Sequence, residues 1–149
     1  MSLEVKITGA MKEAMKAKDQ VQLASLRAIK SELLLAKTSS TASELSADDE
    51  IKLLQKLVKQ RKESARIYQE QGREDLMQPE FEQAGVIEQF LPEQASEEEI
   101  ERVVDNVIET TGASGMQDMG KVMGMASKQL SGKADGGAIS KIVKRKLAN

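Results

Sequence analysis

The chain has no cysteine and no histidine. The first absence excludes disulfides, thiolate metal sites and cysteine nucleophiles. The second removes the commonest general base and the commonest metal ligand. Aromatic residues are nearly missing as well: Tyr68, Phe81 and Phe90 are the whole set. Hydrophobic residues make up 40% of the 149 positions, so a core must be built from Leu, Ile, Val, Met and Ala. Those are the side chains of packed helices rather than of sandwiches. No run approaches about 18 consecutive apolar residues, and residues 1–10 lack the apolar stretch of a signal peptide. The expectation is a soluble, cytoplasmic, all-α protein with no membrane association, no metal and no cofactor.

What is present is charge, and it is segregated. The net charge of −2 divides into +3 over residues 1–72, −10 over residues 73–111 and +5 over residues 112–149. Such segregation is compatible with solvated helix surfaces, or with a polyanion meeting the basic ends while the acidic middle faces away or contacts another protein.

The apolar spacing predicts an N-terminal unit of about three helices over 1–72, followed by a small C-terminal helical bundle over 73–149. Ser2 caps the first helix, which breaks at Lys18-Asp19, and a second carries Leu23, Leu26, Ile29, Leu33 and Leu34. A loop over 38–47 leads to a capping box, Ser46-x-x-Asp49, and a long third helix stopped by Gly72. In the second half, Pro79 predicts a helix beginning there, since its ring suits a first turn and not an interior. Ser96-Glu97-Glu98-Glu99 opens the next as a capping box, Gly112 closes it, and two more helices are expected over 116–130 and 137–147, the last capped by Asp135. No segment alternates with period two, so strands are not expected.

On the third helix Lys52, Lys56, Lys59, Lys62 and Arg66 fall within a sector of about 120°, opposite the apolar stripe. They form either an ordinary wet face or a row of phosphate contacts. Arg61 is the exception: it falls on the apolar side and has to snorkel or find a carboxylate, which the acidic segment is expected to supply in docking the two halves.

Seven of the ten glycines follow residue 111. Gly120 and Gly124 share one helix face, and each costs about 1 kcal/mol relative to alanine in a helix interior. That cost suggests a close approach to the backbone, by a neighbouring helix or by an RNA ribose-phosphate chain, with Gly136 a further candidate. The methionines at 116, 119, 123 and 125 read as adaptable core filler. Lys121, Lys128, Lys133, Lys141, Lys144 and Arg145 supply candidate nucleic-acid contacts. The Lys133–Gly137 stretch, ahead of the last helix, is not a phosphate-binding loop of the Walker type, because its glycines, lysine and hydroxyl are in the wrong order.

The motifs Tyr68-x-x-x-Gly72-Arg73-x-Asp75-Leu76, Phe90-Leu91-Pro92 and Ser96-Glu97-Glu98-Glu99 resemble those of the YqeY family. Met116-Gln-Asp118-Met-Gly120-Lys121-Val-Met123, Ala134-Asp135-Gly136 and Val143-Lys144 resemble the related tail domain of the B subunit of tRNA-dependent amidotransferases. The resemblance covers essentially the whole chain and is strongest, for the tail domain, after about residue 73. It implies a two-part helical fold and a tRNA-binding accessory module, partnered by an aminoacyl-tRNA synthetase or an amidotransferase subunit. The alternatives are a protein-interaction adaptor and a member of a glutamine-dependent carbon–nitrogen ligase complex. No catalytic residues are nominated, because no motif assembles a nucleophile, an ammonia path and a nucleotide site.

Overall fold

The computed structural model describes residues 2–39 and 45–148. Its helices are α1 Leu3–Ala17, α2 Gln20–Ser39, α3 Ala47–Glu70, α4 Glu74–Glu88, α5 Glu97–Thr111, α6 Met119–Gln129 and α7 Gly136–Leu147, with a 3-10 turn over Met116–Asp118 ahead of α6. Among the described residues there is no strand. No helix among them is long and apolar enough to cross a membrane.

Helix ends fall where short polar side chains can satisfy orphan amides. The Ser2 hydroxyl accepts from the amide of Val5, and Asp135 Oδ1 from that of Ala138. Ser46 and Asp49 form a reciprocal box. Ser96 accepts from the Glu99 amide, but the return bond is absent, so the box expected there is half made. Gly72 and Gly112 take positive φ (71° and 69°) just past α3 and α5, as a left-handed helix end requires. Of the loop expected over 38–47, residues 38 and 39 belong to α2, 45 and 46 precede α3, and 40–44 lie outside the described residues.

α4 corrects the reading of Pro79. The helix begins at Glu74, and Pro79 lies inside it. The missing amide costs one bond to the Asp75 carbonyl, on an exposed stretch where water can replace it. The start is fixed instead by the turn after α3: the Arg73 amide donates to Tyr68 O, while Leu76 and Met77 donate to Arg73 O. Arg73 also grips Asp75 through both carboxylate oxygens, at 3.0 and 2.9 Å.

The chain forms two compact units, Met1–Leu91 and Pro92–Asn149. The division therefore falls after α4, not at the expected residue 72. The reason is burial: α4 packs against both α3 and α2, and Ile87 enters the same core as Ile7, Leu26, Ile29, Leu54 and Leu57. In the second unit, α5, α6 and α7 enclose Ile100, Val104, Val107, Val122, Ala126, Ile139, Ile142 and Val143. Met119, Met123 and Met125 pack around that core, whereas Met116 is 47% exposed. The segment ahead of α5 is pinned to the α6–α7 loop, with Ala95 N donating to Lys133 O and Gln94 Nε2 to Gly132 O.

Candidate nucleic-acid interface

Each unit turns cations outward, but not all of them are available. In the first unit Lys52, Lys56, Lys59, Lys62 and Arg66 are all exposed along α3. Arg66 is held by Glu63 and Glu70, each at 2.5 Å, and Lys62 by Glu88 on α4 at 2.5 Å. The Arg66 hydrogen bond and charge hold the Glu63 carboxyl below the usual carboxylate range, with Lys59 adding a lesser pull. Lys52, Lys56 and Lys59 have no ion-pair partner among the described residues.

Arg61 is half-buried between α3 and α4. Its Nε donates to Gln83 Oε1 at 3.0 Å and lies 3.8 Å from Glu80, with the side chain 22% exposed. Both partners sit on α4, inside the acidic segment. The contact therefore joins α3 to α4 within the first unit.

In the second unit the acidic and basic sequences pair across α5 and α7. Arg145 meets Glu97 and Glu101, and Lys146 meets Glu101 at 2.9 Å and Asp105 at 3.2 Å. The Lys146 hydrogen bond, then its charge, lowers the Glu101 pKa; Glu101 first, then Asp105, raises that of Lys146. The acidic middle of the sequence is thus divided between α4 and α5, each neutralising cations of its own unit.

What remains is a set of lysines without counter-ions: Lys121 and Lys128 on α6, Lys133 in the loop, and Lys141 and Lys144 on α7, all exposed. None has an ion-pair partner among the described residues. Gly120, Lys121, Gly124 and Lys128 span a sector of about 100° of α6, opposite the buried Val122 and Ala126. Gly120 and Gly124 are exposed, and a Cβ built on either meets nothing within 4 Å. Within the second unit no neighbouring helix therefore accounts for the pair. Gly136 is likewise open. The two carboxylates of this stretch are already occupied, Asp118 by the Ser114 amide and Asp135 by that of Ala138. The start of α7 is therefore a capped helix end and not an open anion site.

No cluster of three or more acidic side chains is placed to hold a metal among the described residues. Glu4 and Asp75, like Glu63 and Glu101, are held below the carboxylate range by a cation, Lys37 and Arg73 respectively. Downward shifts from ion pairing are the signature of structural salt bridges, not of a poised general acid. Sequence reasoning named exposed cations of α3, α6, α7 and the loop between the last two, but not which are neutralised, because pairing across helices depends on packing. It also passed over the exposed ring of Phe81.

These features define an all-helical protein built of two cation-faced bundles. The chain belongs to the YqeY family, whose model, described as Yqey-like protein, matches residues 4–147. It is 38% identical over 104 residues to the E subunit of the glutamyl-tRNA(Gln) amidotransferase of Thermococcus gammatolerans, covering 67% of this chain and 17% of that protein. It is 31% identical over 127 residues to altered inheritance of mitochondria protein 41, mitochondrial, of Pyrenophora tritici-repentis, covering 83% of this chain and 68% of that protein. The chain thus spans about a sixth of the length of the first relative.

Proposed function

We propose that this chain is a tRNA-binding accessory module, cytoplasmic, acting beside an amidotransferase or an aminoacyl-tRNA synthetase and performing no amide transfer alone. The observation that carries the reading is the counter-ion-free lysine set of α6, its following loop and α7, beside a glycine-smoothed helix face. Where α5 meets α7 in the same unit, cations are matched by carboxylates; here they are left to an external anion. The relative named as a tRNA amidotransferase subunit supports the choice of tRNA as that anion and of an amidotransferase as the setting. Phosphate contacts supply affinity and orientation, and open glycines let a ribose-phosphate chain approach the helix backbone.

Gel-shift titrations with bulk tRNA across a salt series test this. Three to five neutralised phosphates give a log–log slope of about −3 to −4. Replacing Lys121, Lys128, Lys141 and Lys144 together with glutamine is expected to flatten it. Binding that is absent at about 50 mM salt, or indifferent to salt, excludes the reading.

A further inference from the structure

Phe81 stands on α4 with 58% of its surface exposed. It borders a groove of about 490 Å³ between α3 and α4, lined also by Lys62, Ala65, Arg66, Gln69, Met77 and Gln78. A lone exposed apolar side chain needs no explanation; this one has company. The groove falls in the range of about 300–1,000 Å³ typical of ligand clefts. Its walls offer an aromatic face, a methionine and two amide side chains. Gln78 gives its amide nitrogen to Glu82 at 3.2 Å and keeps its carbonyl oxygen as an acceptor. Inside the groove the charges cancel, since Lys62 is paired with Glu88 and Arg66 with Glu63 and Glu70. Just outside it they do not. Lys52 and Lys59 stand seven residues apart, within a sector of about 20° of α3, and neither makes an ion pair among the described residues.

A neutral, aromatic-edged groove continuous with a cationic row matches the two halves of a nucleotide, an uncharged planar base and an anionic backbone. We propose that the α3–α4 groove receives an unpaired base of the bound RNA, stacked on Phe81 with its edge toward Gln69 and Gln78. The adjoining phosphates then run along Lys59 and Lys52. This rests on the tRNA reading and adds to it a preference for a single-stranded segment, which is where RNA bases are free to stack on protein rings.

The test compares two RNA stem-loops that share one duplex, one blunt and one with a short single-stranded 3′ tail. Wild-type protein is expected to bind the tailed probe about tenfold more tightly than the blunt one. Phe81→Ala and Phe81→Leu are expected to erase that ratio while leaving the blunt probe unaffected, and Phe81→Tyr to keep it. Because the ring is exposed, all three variants should melt like wild type. Equal binding of the two probes by wild type overturns the groove proposal and leaves the tRNA reading standing. Binding of neither probe overturns both. Full tail preference in Phe81→Leu also overturns it, by showing an apolar seat suited to a protein side chain and no base stack.

Discussion

Gly124 sits mid-helix on α6 with its face to solvent, and a methyl group placed on its Cα would meet no atom within 4 Å. Nothing in the fold offsets the loss of helix stability that glycine brings there. Gly124→Ala should therefore raise stability by up to about 1 kcal/mol, measured as a higher thermal midpoint. Gly124→Leu should leave the midpoint at or above that of wild type. If a ribose-phosphate chain lies on this face, both variants weaken tRNA binding, leucine more than alanine. A drop in melting temperature for Gly124→Leu would show that a packed neighbour covers the site after all. Sequence alone identified the pair as out of place in a helix. It could not say which way they face, because the buried members of that helix, Val122 and Ala126, are themselves small and mark its apolar stripe weakly. Arg61 was legible in part: its place among Leu54, Leu57 and Val58 left it either to snorkel or to find a carboxylate that docks the two units, whereas its contacts with Gln83 and Glu80 lie inside the first unit.

At the scale of elements, capping chemistry was the readable part. Ser2, Ser46, Ser96, Asp135, Gly72 and Gly112 mark helix ends within a residue or so of where they fall, because a cap is a local matter of one side chain and one amide. The start of α4 was not readable, because the local penalty of Pro79 is outweighed by the burial of Ala84, Val86 and Ile87, a tertiary effect. The pairing of α5 with α7 is of the same kind, and it makes a prediction about pH. Lys146, through its hydrogen bond and charge, holds Glu101 below the ordinary glutamate value. A carboxyl depressed in the folded state contributes stability at neutral pH and loses it as pH falls through the lowered value, so this contribution fades only below about pH 4.3. Lys146 is raised, so its share is present at neutral pH and is lost only as pH climbs past about 10.4. Carboxyl NMR titration should place the Glu101 midpoint below the usual range, and Lys146→Met should move it up. A Glu101 midpoint indifferent to Lys146→Met would mean that the pair does not persist in solution.

At the scale of the whole molecule, the question is where one folding unit stops. The charge profile and the turn at Gly72 suggest a division at residue 72, whereas the cores divide between Leu91 and Pro92. The apolar face of α4, with Ala84, Val86 and Ile87 each no more than 8% exposed, belongs to the first unit. Hydrophobic surface, once stripped of its cover, drives association. A fragment of residues 92–149 carries a complete core and is within the size range, about 55–65 residues, in which single domains fold alone. It should melt cooperatively, run as a monomer in size-exclusion chromatography and keep salt-dependent tRNA binding through its own lysines. A fragment of residues 73–149 carries the same core plus an uncovered α4, so it should self-associate and bind a hydrophobic dye. The complementary fragment of residues 1–72 leaves the first core open where Ile87 belongs and should be less stable than residues 1–91. If the 73–149 fragment instead proves monomeric, dye-silent and more stable than 92–149, then α4 docks on the second unit and the division at residue 72 is the physical one.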